Sequence, residues 1–314
     1  MRFDGLEAGV YRLTKNNKKY GLERDRDFFI TPKKLYGRMG IRAEYFWNSF
    51  VAAPASMGVL LTGTSGGGKS VLTEVIANIG INNLMPVVLV REITADLELI
   101  KFISDLSNVI IIFDEFAKVI NGPLQNKSLS MLSDVYNKKL FLMTENNSDI
   151  ISPFIRNRPG RVRYHIDYGR LEEEVFEEYC ADFDMDSKFL DELREKYKRS
   201  AVFSFDHLSA IVTEHISHKD QTLDELLFLL NLDILSKPPK VIFESAYDTV
   251  NEKELELNSY SDKLKEFNRG MNIYLYPKGI GDAIVFSAKD IVDMNDDKII
   301  IMNDKKIKII LRKE

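Results

Sequence analysis

Eight consecutive residues, Gly63-Thr64-Ser65-Gly66-Gly67-Gly68-Lys69-Ser70, match the pattern G-x-x-x-x-G-K-[ST] in full. The pattern requires a strand before it and a helix after it. The glycines wrap the turn so that backbone N–H groups face inward, and the helix adds its positive end. Both flanks are present: Val59-Leu60-Leu61-Thr62 is an apolar run of strand type, and Ser70 to Ile79 reads as a helix closed by Gly80. Such a loop suits the grip of a triphosphate. Lys69 would reach the β- and γ-phosphates, and the Ser70 hydroxyl would ligate magnesium. ATP with Mg2+ is the expected ligand pair.

The flanking sequence sets the fold class. The runs Pro86 to Val90, Val109 to Phe113 and Leu140 to Met143 are apolar without polar alternation. Strands of that kind are covered on both faces, as in a parallel sheet between helical layers. A three-layer α/β domain is therefore expected, with a parallel sheet of the P-loop NTPase type. The second run ends in two acids, Asp114 and Glu115. In ATPases with a phosphate loop, the first such acid holds magnesium through water and the second polarises the attacking water. Asp114 and Ser70 are thus the expected metal residues, and Glu115 the catalytic carboxylate.

Four segments are expected. Residues 1–54 read as a lead-in of mixed charge that contains a helix from Arg42 to Val51. Residues 55–168 read as the α/β core and 169–236 as helical, with Ser204 and Thr222 as N-caps. After the Lys237-Pro238-Pro239 break, residues 237–314 read as a small β-rich domain. Asn303-Asp304 marks a hairpin within it.

The chain resembles the AAA+ ATPases, over about residues 35 to 235. Leu140 to Asn146 is similar to the family's sensor strand, whose terminal polar residue sits between the acids and the γ-phosphate. Asn146 takes that role, with Asn147 and Thr144 as alternatives. Arg156-Asn157-Arg158-Pro159-Gly160-Arg161 resembles the segment whose arginines reach across a subunit interface to a neighbour's ATP. The resemblance makes Arg158 and Arg161 the finger candidates, with Arg156 in reserve. It also implies that Tyr36 and Gly37, with Leu35 and Ile30, pack the adenine, that a helical lid follows the core, and that the chain forms a homo-oligomeric ring or spiral, a hexamer by likeness. The overall order is similar to AAA-type ATPases encoded by bacteriophages, which places the chain in a host cytoplasm.

Composition narrows the setting. The 314 residues are 45% hydrophobic and 29% charged with a net charge of -5, an ordinary globular balance without global basic character. The one cysteine, Cys180, excludes an intrachain disulfide and fits a reducing compartment. No run is long and apolar enough to span a bilayer, and the N-terminus lacks a signal-peptide pattern, so a cytoplasmic protein without a membrane partner is expected. His215 and His218 read as solvated histidines rather than a metal pair. Glu172-Glu173-Glu174 and Glu177-Glu178 read as the exposed face of a lid helix.

The work done by hydrolysis is less constrained. Val90 to Asp96 has neither aromatic nor glycine, so the sequence does not favour a polypeptide-threading motor. The primary expectation is remodelling of a protein or nucleoprotein assembly. A clamp-loader-type replication ATPase with DNA as partner is one alternative. A nucleotide-gated scaffold of low turnover is another, and Glu115 and the arginine block argue against it.

Overall fold

Strands buried on both faces do form the core of the sheet that holds the glycine loop. A computed structural model describes residues 6–16, 19–91, 93–156, 159–200, 202–232, 240–255, 265–266, 273–275, 284–286, 291–294, 298–303 and 306–313. The chain divides into two units, Met1–Ile234 and Leu235–Glu314.

The first unit holds β1 (Val10–Asn16), β2 (Lys19–Arg26), α1 (Met39–Ala52), β3 (Met57–Gly63), α2 (Lys69–Asn82), β4 (Val87–Val90), α3 (Leu97–Asp105) and β5 (Val109–Phe113). The short helices α4 (Phe116–Val119) and α5 (Pro123–Lys127), then β6 (Lys139–Glu145), α6 (Pro153–Arg156) and β7 (Val162–Tyr168), complete its sheet region. Seven strands lie in the order β2-β1-β4-β5-β6-β3-β7. Every neighbouring pair is parallel except β1 with β2. Alternate residues of β5 enter opposite cores. Val109, Ile111 and Phe113 join α3 and α4 on one face, while Ile110 and Ile112 join α1 and α2 on the other. That two-sided burial is why the sequence shows no alternation.

Residues 1–54 are more than a lead-in. Val10 pairs with Val87 across β1 and β4, so the N-terminal hairpin extends the sheet. The strands escaped the sequence reading because neither carries an unbroken apolar run. In β1, which lies between β2 and β4, Val10, Tyr11 and Leu13 are buried while Arg12, Lys15 and Asn16 are exposed, and β2, at the sheet's edge, is exposed or half-buried throughout.

Four helices follow: α7 (Glu173–Cys180), α8 (Ser187–Arg199), α9 (Phe205–Ser217) and α10 (Leu223–Leu229). They close around Phe176, Leu193, Phe203, Leu208, Ile211 and Leu226. Ser204 and Thr222 each form a capping box, with His207 and Glu225 respectively. The glutamate run is not simply solvated. Glu172 pairs with Arg42 at 2.6 Å, Glu174 with Arg38 at 3.3 Å and Glu177 with Arg194 at 2.8 Å, so part of it ties the helical bundle to the segment before β3. His215 likewise departs from expectation: it is buried and stacked on Phe189, and burial pulls its pKa below the ordinary imidazole value. His218 is exposed beside Glu214, and no group of metal-ligating side chains occurs among the described residues.

The second unit is antiparallel. It contains β8 (Lys240–Asp248), β9 (Lys253–Glu254), β10 (Lys265–Glu266), β11 (Ile273–Leu275), β12 (Ile284–Phe286), β13 (Ile291–Met294), β14 (Lys298–Met302) and β15 (Ile307–Lys313). One sheet runs β10-β8-β15-β14-β13 with β9 on β8, and β11 pairs with β12 separately. Lys237-Pro238-Pro239 and Asp304 lie outside the described residues. Asn303 accepts a hydrogen bond from the Ile307 N–H at 3.0 Å, which turns β14 into β15. No described helix is long and apolar enough to cross a membrane.

One buried cation braces the sheet below the site. Lys139 opens β6 fully buried, and its ammonium donates to the carbonyls of Asn137 at 2.7 Å and Ser104 at 3.1 Å, with Asp134 at 3.6 Å. Lys139→Ala strands these acceptors and opens a cavity. The expected loss of stability is about 2–4 kcal/mol, read as a lowered denaturation midpoint.

Candidate functional site

The parallel strands β4, β5, β6, β3 and β7 all end at one edge of the sheet, where ligands of open α/β sheets bind. Strand β3 runs directly into the glycine loop, and α2 leaves it. Gly68 is the N-cap of α2 with φ +93°, a left-handed conformation that aims the free N–H groups of the first turn into the loop. Gly66 adopts φ +73° and meets α9. Its carbonyl accepts the Asp206 N–H at 3.2 Å, and a Cβ there would sit 2.5 Å from the Asp206 carboxylate. The helical bundle therefore rests on the loop itself.

Lys69 is buried, and its ammonium donates to the Gly63 and Thr64 carbonyls at 2.7 Å each. Burial draws its pKa below the ordinary lysine value, against the pull of Glu145, Asp114, Asp167 and Glu115. Thr64 donates its hydroxyl to the Tyr168 carbonyl at 3.3 Å, and Ser65 is exposed at the loop tip.

The strand order puts β6 between β3 and β5, so its C-terminal end stands between the loop and the acid pair. Thr144 uses that place to hold both acids. Its hydroxyl donates to Asp114 at 3.0 Å and accepts the Glu115 N–H at 3.1 Å. Asn146 brings its amide to 3.4 Å from Glu115 Oε1. Asn147 instead accepts the Asp149 N–H at 2.9 Å within its own turn. Of the three alternatives for the sensor position, Asn146 and Thr144 meet the acid pair and Asn147 does not. Glu145, which sequence reasoning passed over, is buried, and its carboxylate accepts the Ala117 N–H at 2.9 Å, tying β6 to α4.

Glu115 has φ +57°, left-handed for a residue with a Cβ. Such a conformation costs on the order of 1–2 kcal/mol and collects at functional positions. Here it turns the chain sharply from β5 into α4.

Ser70 and Asp114 line one cleft together with Thr73, Glu74, Arg26 and Arg91. Hydroxyl and carboxylate oxygens are the donor set that magnesium takes, with waters completing the octahedron. The residues therefore fit that ion. Glu74, raised above the ordinary carboxylate pKa by burial, and Arg26, from β2, were not singled out in the sequence. Arg26 stands in the hairpin whose sheet role the sequence hid.

A second, apolar cleft adjoins Gly67 and Gly68 and is walled by Tyr36, Met39, Val71, Ile166, Leu171 and Phe205. The Tyr36 ring packs 5.1 Å from Tyr179 and 5.7 Å from Phe205. Its hydroxyl donates to Asp182 at 2.8 Å, and burial with that carboxylate pushes its pKa up to about 12. Gly37 does not line the cleft. Its N–H donates to Glu178 at 2.7 Å, and a Cβ on it would strike Val175. Ile30 is 92% exposed and takes no part.

Of the arginine block, Arg156 and Arg161 are described. Arg158 lies outside the described residues. Arg161 donates to the Phe154 carbonyl at 3.1 Å, and Arg156 to the Ser148 carbonyl at 3.1 Å with Asp149 at 3.5 Å. These contacts tie Arg156 to the Ser148–Asp149 turn and Arg161 to α6. None of them reaches the glycine loop or the acid pair.

No family model matches the chain, and no curated protein matches it. Among the solved structures similar to it is the HORMA:CdnC:Trip13 complex of E. coli MS115-1. The likeness has 13% identity, covers 63% of this chain and 89% of that one, and gives a TM-score of 0.46.

Proposed function

We propose that this chain is a magnesium-dependent ATPase of the AAA+ type, working as a ring. The observation that carries the reading is the meeting of three strand ends at one edge. The glycine loop with Lys69 and Ser70 leaves β3, the acids Asp114 and Glu115 leave β5, and Thr144 and Asn146 leave the strand between them. In this reading the loop N–H groups and Lys69 bind the β- and γ-phosphates, and the apolar cleft beside Tyr36 takes the base. Ser70 and Asp114 would hold magnesium, which would supply positive charge to the phosphates. Glu115 accepts the proton of the attacking water, Asn146 orients that water, and Thr144 fixes both acids relative to the loop.

A cation for the departing charge is still needed, and a guanidinium suits it. Arg161 and Arg156 are engaged within their own turn, which favours delivery to a neighbouring subunit over use in their own. Arg158→Ala or Arg161→Ala should leave ATP affinity within about threefold while hydrolysis falls by about 10³-fold. Equilibrium binding and steady-state rates separate the two effects, and unchanged hydrolysis in both variants would refute the interface assignment.

We read residues 55–168, joined by the β1–β2 hairpin, as the core, 169–236 as a lid and 237–314 as an adaptor domain. The ring, hexameric by this reading, would remodel a protein or nucleoprotein assembly. The deciding experiment is ATPase rate per subunit against protein concentration, with and without single-stranded and primed DNA. A specific rate that rises with concentration supports sites completed between subunits. Strong DNA stimulation would instead favour the replication alternative.

A further inference from the structure

The helix that leaves the glycine loop carries a carboxylate that the loop pattern does not include. Glu74 lies four residues after Ser70 in α2, so the two share one face of the helix, with Cβ atoms about 5–6 Å apart. Long side chains on a helix lean toward its N-terminus, which directs Glu74 back toward Ser70. The Thr73 hydroxyl donates to the Ser70 carbonyl at 2.7 Å and braces that first turn. Glu74, Ser70 and Asp114 line one cleft, together with Arg26 and Arg91. Glu74 is half-buried, yet its carboxylate makes no hydrogen bond or close ion pair among the described residues, and neither oxygen is sealed from the cleft. A carboxylate drawn partly out of water without a partner is unfavourable. Burial pushes its pKa above the ordinary carboxylate value. The Arg26 charge opposes that shift, Asp114 adds to it and Arg91 opposes it.

We propose that Glu74 is a positioning residue of the magnesium site: it would accept hydrogen bonds from the waters of an ion held by Ser70 and Asp114. The inference rests on the ATPase reading above and adds a residue that neither the glycine loop nor the acid pair contains. Magnesium sheds its waters reluctantly, so it keeps several of them in a nucleotide site. Those waters point their hydrogens outward, and an ionised carboxylate offers acceptors only. Ser70 would approach the ion from the start of α2 and Asp114 from the end of β5, while Glu74 reaches the same cleft from one turn farther along α2. Outer-shell groups of this kind orient the inner ligands, and their loss typically costs about 10- to 100-fold in metal affinity or activity. A dication would also offset the like charges of Glu74 and Asp114, which share the cleft. The competing role for Glu74 is that of counterion to the two arginines. Arg26 is already paired with Asp25 at 2.7 Å, which leaves Arg91. A counterion contributes to stability and is indifferent to metal, so the two roles separate by experiment.

The test uses the full chain with ADP, which it does not hydrolyse, and Mn2+, which takes octahedral oxygen sites as magnesium does and is counted by electron paramagnetic resonance. With protein in excess over nucleotide, Mn2+ affinity is measured for the unsubstituted chain, Glu74→Gln, Glu74→Ala and Asp114→Asn. Glu74→Gln removes the charge and keeps the shape. It should weaken Mn2+ binding about tenfold, and Glu74→Ala should lose at least as much. ADP affinity without metal should not fall in either variant, and the denaturation midpoint of Glu74→Gln should not move. An unchanged Mn2+ affinity in folded Glu74→Gln overturns the proposal, and a lowered denaturation midpoint beside it would make Glu74 the counterion of Arg91. A loss of metal-free ADP affinity as large as the loss for Mn2+ also overturns it, since the loop itself would then be damaged. If Asp114→Asn releases Mn2+ while Glu74→Gln holds it, the ATPase reading stands without Glu74. If ADP on the unsubstituted chain holds Mn2+ no better than ADP in solution, both fall.

Discussion

Lys69→Ala is expected to weaken ATP binding by about 10²–10³-fold. The reasoning starts from the geometry of the loop. The Lys69 ammonium is held at the loop by the Gly63 and Thr64 carbonyls. A triphosphate in that loop brings its negative charge to a buried ammonium in a poorly screened place. Charge-assisted hydrogen bonds contribute roughly 1.5–3 kcal/mol each, and the lysine would make two, to the β- and γ-phosphates. Removing about 3–4 kcal/mol converts to the stated loss. The side chain also braces two loop carbonyls, so the variant needs a check of fold by circular dichroism and of stability by denaturation. Calorimetric titration with Mg-ATP then reads the affinity. Binding retained within tenfold in a folded variant would mean that this loop does not cradle the phosphates, whatever its pattern. Adenosine offers a further contrast. It carries no phosphate, so any affinity it shows for the apolar cleft should not change with Lys69.

How much of this was legible in the sequence follows from what each residue contacts. The Val109–Phe113 strand was readable because both faces are buried, so each of its positions is apolar. The glycine loop was readable because its turn admits few residues. The β1–β2 hairpin was not, since β1 interrupts its buried residues with Arg12 and ends in Lys15 and Asn16, and the edge strand β2 buries none of its residues fully. The acids Asp114 and Glu115 follow from position alone, at the end of an apolar strand. The polar residues that hold them do not. Thr144, Glu145, Asn146 and Asn147 are consecutive, and a sequence cannot say which of four hydrogen-bonding side chains turns toward the neighbouring strand. Strand pairing decides it. With β6 beside β5, Thr144 and Asn146 face the acids, Glu145 turns to the N–H of Ala117, and Asn147 has already entered the next turn. Gly37 shows a contact the sequence hides: its N–H belongs to Glu178, 141 residues away along the chain. Glu172 and Glu174 read as a solvated face for the same reason. The arginines that pair with them, Arg42 and Arg38, lie far away along the chain.

Glu115→Gln is the second change with a large expected effect, and it separates binding from chemistry. The substitution preserves shape and leaves the acceptor that faces Asn146, but an amide cannot take a proton from water. Positioned general bases contribute typically 10²–10⁴-fold, so kcat should fall by about 10³-fold while the ATP dissociation constant stays within about threefold. The Glu115 backbone N–H remains on Thr144, and the left-handed turn into α4 has no side-chain requirement that glutamine fails. Stability should therefore move by less than about 1 kcal/mol. Because ATP binds and persists, the variant should accumulate the nucleotide-bound oligomer, visible by light scattering with ATP and absent with ADP. The companion change Thr144→Val should behave differently. It strips the hydroxyl that holds Asp114 and Glu115 together, leaves the Glu115 N–H without its acceptor, and so lowers kcat and magnesium affinity together, with a cost in stability that Glu115→Gln lacks. If Glu115→Gln hydrolyses ATP at near the unsubstituted rate, the proton acceptor is another group. Glu145 would be the first to test, since its carboxylate lies one residue before Asn146 and already reaches the N–H of Ala117 in α4.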